Sequence, residues 1–212
     1  MSSNRLPIGS PTVLVTDPAA IGRAADVLQA GGTVVLPTDT VYGVAALPQL
    51  AGATAQLFAL KARGSDQPLA VLLADDSQLA PLAGDIDDDV RAWTADFWPG
   101  PLTLVLGRTS EARGLELGGD PATIGVRCPD HDFVRALAAL VGPLATTSAN
   151  RHGEPAATNA ADAATSLAGA IGLVVDGGPS GDVASTVVDA TTQPRRVLRR
   201  GALEPARLGL AP

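Results

Sequence analysis

Five short stretches of this sequence combine side chains that hold anions with residues that bend a backbone. They are PTDTVYG (37–43), KARGSDQP (61–68), TIGVR (123–127), TTSANRHGEPAAT (146–158) and GDVAST (181–186). Each joins a Gly or Pro to hydroxyls, amides or a cation, and such groups with free backbone N–H donors are what anionic ligands need. The second stretch holds Lys61, the sole lysine of the chain; the other fourteen of its fifteen basic residues are arginine.

Each stretch also has a plainer reading. TDT alone describes an ordinary turn with a helix cap. SAN followed by HGEPAAT equally describes a loop whose Ser and Asn bond their own backbone. Arg127 at a strand end is commonly a surface residue, and Lys61 alone is a surface helix residue. Cys128 reads as a small packed hydrophobe, since no His-containing signature accompanies it. His131 and His152 are too few and too isolated for a histidine metal site, so none is predicted.

Alternating helices and strands must position these stretches. DPAAIGRAADVLQAGG reads as a helix with Asp17 as N-cap, Pro18 at the first position and Gly31-Gly32 as the stop. TVVLP (33–37) reads as a buried strand, residues 51–63 as a helix and 68–74 as a strand. DDSQLAPLAG and DDDVRAWTADFW are both expected to be helical, with aspartates favoured at their starts by the helix dipole. Strands follow at 101–108, 122–129 and 142–148, with the helix DFVRALAALV between the last two. A helix at 158–169 precedes strands at 171–178, 185–191 and 195–201. The pattern predicts an α/β fold around a twisted mixed sheet. The last strands lack crossover helices, so part of that sheet is antiparallel. The polar stretches fall at strand-to-loop junctions, where α/β proteins place ligands.

Composition bounds the rest. At 212 residues, 46% hydrophobic and 17% charged, the chain is globular, with a core of Ala, Val, Leu and Ile because aromatics make up only 3%. A net charge of −7 argues against broad adhesion to nucleic acid. It also makes any local convergence of cations meaningful. A single cysteine excludes an internal disulfide framework. No apolar run approaches the ~20 residues of a membrane span. The start lacks a secretory pattern, so the cytoplasm is the expected location. P-loop, G-x-G-x-x-G and G-x-S-x-G motifs are all missing. The residues by themselves reach as far as an α/β protein with an anion-binding cleft.

Seven segments in order carry a resemblance. GGTVVLPTDTVYGVAA, LKARGSDQPLAVLL, FWPGPLTLVL, TIGVRCPDH, TTSANRHGEPAATNAADA, DGGPSGDVASTVVDAT and VLRRGAL are together similar to the YrdC/Sua5 family of L-threonylcarbamoyladenylate synthases. The resemblance implies a single YrdC-like domain over 1–212 with its core at about 15–203, a sheet flanked by helices, and a concave ligand-binding cleft. The implied reaction joins L-threonine, bicarbonate or CO2, and ATP into threonylcarbamoyl-AMP, releasing pyrophosphate. Mg²⁺ is expected to accompany ATP. The product feeds N6-threonylcarbamoyl modification of adenosine 37 in tRNA, through a separate transferase complex.

The family's K-x-R and S-x-N tetrad reads here Lys61, Arg63, Ser148 and Asn150, which the resemblance makes catalytic. A mobile ammonium reaches a phosphate as a point charge, whereas a guanidinium grips two oxygens; that is the expected reason for the lone lysine. The resemblance places Thr40, Arg127, Thr146 and Ser185 at threonine, with Arg127 on its carboxylate. It places Arg63, Gln67, Thr123, Ser148, Ala156 (through backbone) and Arg199 at the nucleotide. Three departures stand out: Gln67 where asparagine is common, Leu72 where some relatives carry histidine, and the bulky Arg151-His152 pair after SAN. The chain ends near 212, as in the short form of the family. Competing readings are an RNA-binding module on the same fold, a YciO-like paralogue with little synthase activity, and a carbamoyl-transfer role like that of the related domain in hydrogenase-maturation proteins.

Overall fold

The computed structural model describes residues 10–62, 64–84, 86–151 and 153–210. Arg63 and His152, both singled out above, lie outside them. Ten strands make one mixed sheet. They are β1 (Thr12–Leu14), β2 (Val34–Leu36), β3 (Gly43–Ala46), β4 (Ala70–Leu72), β5 (Leu102–Gly107), β6 (Thr123–Arg127), β7 (Leu144–Ser148), β8 (Leu173–Asp176), β9 (Thr186–Asp189) and β10 (Arg196–Arg199). The spatial order is β1-β8-β2-β3-β7-β4-β6-β5-β9-β10. β1 and β2 flank β8 in parallel, and β4–β6 and β5–β9 are parallel as well. The remaining pairs are antiparallel, including β9–β10, where the missing crossover helix predicts it.

Among the described residues, five α-helices flank the sheet: α1 (Ala20–Gln29), α2 (Ala53–Lys61), α3 (Asp88–Phe97), α4 (Asp132–Val141) and α5 (Ala160–Ser166). Side chains alternate between the two faces of a strand, and the two cores follow that alternation. Val35, Val44, Val71 and Val174 pack on one face with α2, α3 and α5. Val34, Leu36, Ala45 and Leu173 pack on the other with α1 and α4. α1 buries Ala20, Ala24, Ala25 and Leu28 against Phe133, Val134, Leu137 and Ala138 of α4. Its stop is the one expected. Gly31 N–H bonds Leu28 O, Gly32 N–H bonds Val27 O, and Gly31 takes φ +80°, the paired bonds of a glycine-ended helix.

Its start differs from the expectation. The Asp17 carboxylate accepts from Ala19 N, and Ala20 N bonds Asp17 O. Asp17 therefore closes a turn, and the helix begins two residues after Pro18. DDSQLAPLAG also falls short of a helix. Asp75 caps Ser77, but only Asp76–Gln78 coils, as a 3₁₀ turn, with Pro81 and Gly84 close behind. The second acidic segment does form α3, capped by Asp87 on Val90 N. β1 and β3 are strands that the sequence reading does not resolve.

Helices α1 and α4 cover only part of their face. Over β7, β4, β6, β5 and β9, the residues that alternate with the core residues are Thr146, Ser148, Ala70, Leu72, Thr123, Gly125, Arg127, Thr103, Val105 and Val187, and these line an open cleft. Ile124 and Val126, or Leu102, Leu104 and Leu106, point the other way into the core. No helix among the described residues is long and apolar enough to cross a membrane.

Candidate active site

The cleft has a volume of about 350 Å³, at the lower end of the ~300–1,000 Å³ usual for small-molecule sites. Among the described residues, three arginines line it, Arg108, Arg127 and Arg199, and no Asp or Glu does. In a chain of net charge −7, that is a local inversion of sign. A carboxylate-free cleft with three guanidinium groups selects anions.

Arg127 ends β6 and is 5% exposed. Its Nε donates to Gly100 O at 2.9 Å and its Nη1 to Thr40 Oγ1 at 2.9 Å, while Nη2 forms an ion pair with Asp39. Burial lowers the pKa of the guanidinium and the Asp39 charge opposes that shift; an arginine so placed stays charged. Among the described residues these bonds engage three of its five N–H protons. One remains on each terminal nitrogen. Thr40 and Asp39 belong to the loop between β2 and β3. Tyr42 anchors that loop, donating from its hydroxyl to Gly178 O at 2.7 Å and accepting from Gly177 N at 3.1 Å. Gly43 opens β3 because a Cβ there would lie 2.9 Å from the Thr146 methyl.

Lys61, the last residue of α2, is 3% exposed. Its Nζ donates to Ser148 O at 2.6 Å, Asn150 O at 2.6 Å and Asn150 Oδ1 at 3.0 Å, and lies 3.3 Å from Ser148 Oγ. Asn150 in turn donates from Nδ2 to Arg151 O and Glu154 O. The structure thus brings three tetrad members together but corrects the expected manner. In the ligand-free protein the Lys61 ammonium is held by the oxygens of Ser148 and Asn150. It is the pin under the 148–150 turn, and it leaves Ser148 on the cleft wall. Asn150 lies behind that wall, outside the lining. A compact ammonium fits this converging cage of oxygens where a planar guanidinium would not.

At the far edge, Arg199 reaches back from β10. Its Nε donates to Ser185 O at 3.1 Å and its Nη2 to Ser185 Oγ at 3.0 Å. Ser185 Oγ also lies 2.8 Å from Thr103 Oγ1. Burial lowers the Arg199 pKa first, and the Arg127 charge lowers it further. Two cations therefore face one space. Thr146, Thr123 and Ala156 line the cleft as the resemblance implies; Gln67 does not, and the lining starts one residue on, at Pro68. Leu72 gives the cleft an apolar wall beside its pairing partner Arg127. Cys128 is buried, and desolvation pushes its thiol up to about 11, as a packed hydrophobe requires.

The sequence reading names neither Thr38, Thr103 and Arg108 of the cleft lining nor Asp39, which lies outside that lining. Arg108 is 8% exposed and donates from Nε to Thr123 O at 2.6 Å and from Nη1 to Leu115 O at 2.8 Å. Strand alternation is the signal for Thr103, which falls on the same face as Val105 in LTLVLG. Asp39 has no such signal, because its partner is 88 positions away.

Fold and site together define an α/β protein whose open sheet face carries an arginine-lined cleft. Comparison with known proteins narrows this. The Sua5–YciO–YrdC family model, described as telomere recombination, matches residues 26–201, and the chain belongs to that family. A threonylcarbamoyl-AMP synthase of Bacillus subtilis (strain 168) is 38% identical over 192 residues, 90% of this chain and 56% of the relative. One of Chromohalobacter salexigens is 39% identical over 155 residues, 73% of this chain and 83% of the relative. The solved structure of P. abyssi Sua5 complexed with L-threonine superposes with TM-score 0.84 at 35% identity, covering 93% of this chain and 59% of that one. The chain thus spans a little over half the length of the first and third.

Proposed function

We propose that this chain is a threonylcarbamoyl-AMP synthase, acting as a single domain in the cytoplasm. The observation that carries the reading is the three-arginine cleft without carboxylates, walled by a Ser148 that Lys61 pins from behind. Both substrates are anionic where they would meet it.

The carboxylate of L-threonine takes the two remaining N–H groups of Arg127, and Thr40, Thr146 and Ser185 surround the amino acid. ATP lies toward Thr123, Ser148, Ala156 and Arg199, with Gln67 and, by the family resemblance alone, Arg63 also assigned to it, and Mg²⁺ arrives with the triphosphate as part of the substrate. The neutral threonine amine adds CO2, derived from bicarbonate, and releases a proton to form a carbamate. A carbamate oxygen attacks the α-phosphorus of ATP, the bond to the bridging oxygen breaks, and pyrophosphate leaves. No side chain forms a covalent bond. Alignment and charge neutralisation account for the rate. The nucleotidyl product passes to a separate transferase acting on tRNA.

Pyrophosphate release from ATP, measured with each component omitted in turn, tests this. Release that requires both threonine and bicarbonate, and that falls at least ~10²-fold in Lys61→Ala through loss of the pinned wall, is the expected result. Release indifferent to threonine, or a Lys61→Ala variant within about threefold of the parent, overturns it. Salt-sensitive RNA binding without release would favour the RNA-binding reading instead.

A further inference from the structure

Two buried hydroxyls on the cleft floor share one hydrogen bond and hold two protons. They belong to Thr103 of β5 and to Ser185, the residue before β9, and both residues line the cleft. Their oxygens lie 2.8 Å apart. The Thr103 methyl packs over Gly125, 3.7 Å from where a Cβ would stand. A β-branched side chain so packed keeps its χ1, and its hydroxyl stays turned toward Ser185. Arg199 Nη2 donates to Ser185 Oγ at 3.0 Å, which occupies one of that oxygen's two lone pairs. Among the described residues neither hydroxyl has another partner. If Ser185 donates to Thr103, the Thr103 proton is left over. If Thr103 donates to Ser185, the second Ser185 lone pair is filled and the Ser185 proton is left over. Each arrangement satisfies the contact, and each leaves one O–H without an acceptor.

That leftover proton sits between two cations. Thr103 precedes Leu104, whose antiparallel partner Val126 precedes Arg127, so Thr103 lies beside Arg127. Ser185 holds Arg199 on its other side, through its carbonyl as well as its hydroxyl. The group that completes this corner is an acceptor with negative charge. Resting on the synthase reading, we infer that Thr103 is a further catalytic residue, forming with Ser185 a single donor, carried by either oxygen, for the carbamate made from threonine and CO2. The corner lies where that carbamate forms, between the amino acid on Arg127 and the nucleotide on Arg199. One carbamate oxygen attacks the α-phosphorus, and the pair donates to the other. During the attack that other oxygen turns from half of an anion into a carbonyl, and it accepts throughout. No proton leaves either hydroxyl. The oxygen that stands nearer carries the leftover O–H, so the carbamate keeps its donor as it moves toward phosphorus.

A neutron structure of the deuterium-exchanged protein reads the proton count without reference to activity. One deuteron between Ser185 Oγ and Thr103 Oγ1, with the other directed into the cleft, supports the inference. A second deuteron bonded to a protein acceptor overturns it. The catalytic role is tested by a double-mutant cycle on the bicarbonate KM, at saturating threonine and ATP, with Thr103→Val, Ser185→Ala and the double variant. Each single variant keeps one hydroxyl, whose proton has lost its partner and takes over the donation. Only the double variant has none. Its bicarbonate KM should therefore exceed the product of the two single effects by about tenfold, the scale of one bond to a charged group. A hydrogen bond that serves the fold alone gives the opposite sign, because its loss is counted in both single variants and only once in the double. In an active parent, a double variant at or below that product overturns the role of Thr103 alone. A parent without threonine- and bicarbonate-dependent pyrophosphate release overturns the synthase reading and the carbamate donor together.

Discussion

Arg127 and Arg199 stand on one cleft, yet they are prepared in opposite ways. Arg127 is buried, held by a carbonyl, a hydroxyl and the Asp39 carboxylate. Arg199 sits on the edge strand β10, and among the described residues its hydrogen bonds go to the neutral oxygens of Ser185. The first guanidinium has its orientation settled before a ligand arrives and offers two N–H groups at fixed angles. The second keeps its charge for whatever enters. A site that must read a small amino acid needs the first kind. One that must neutralise a flexible polyphosphate is served by the second.

The largest way to break this contrast is to remove Arg127. Arg127→Ala strands Asp39 beside the core, and a buried ion left without its partner costs about 3–5 kcal/mol. Urea unfolding should show that loss, with partial recovery in the Arg127→Ala/Asp39→Asn double variant. Recovery that fails would mean the two residues are not energetically coupled. Arg199→Ala should leave stability within ~0.5 kcal/mol, as edge substitutions do, while raising the ATP KM about tenfold. A stability loss as large as that of Arg127→Ala would erase the distinction. Leu72→His tests whether the apolar wall beside Arg127 helps to set the threonine fit, with an expected rise in threonine KM of about threefold, the scale of a modest pocket change. The smallest effect is expected at Cys128. Its thiol, pushed up to about 11 by burial, stays protonated well below that pH. Alkylation of the native protein at pH ~8 should therefore be slow, and Cys128→Ala should keep full synthase activity. Rapid alkylation would show an open thiol.

The strands that build the cleft floor were largely readable because alternation marks both faces at once. TIGVR places Ile and Val on one side and Thr, Gly and Arg on the other, and LTLVLG behaves alike. β1 and β3 are no shorter than β2 and β4, but TVL follows Pro11 and GVAA follows the turn residues of TDT, so neither stands out as a strand. Asp17-Pro18 looked like a helix start because it has the right residues, but the backbone spends them on a preceding turn. In the site, the hydroxyls and cations named from the sequence mostly do line the cleft. Their wiring was not readable. Lys61 and Asn150 are 89 positions apart, as Arg127 and Asp39 are 88. Only the fold brings them together, and it places the expected phosphate ligand Lys61 beneath the 148–150 turn.

The half-covered sheet has one more consequence. Each cleft strand writes two texts on alternate letters, one read by the helices behind it and one read only by the solute in front. A substitution in the second text that strands no buried partner, as Arg127→Ala would strand Asp39, leaves the first intact. The chemistry of this face can be rewritten, residue by residue, while the scaffold that displays it continues to fold.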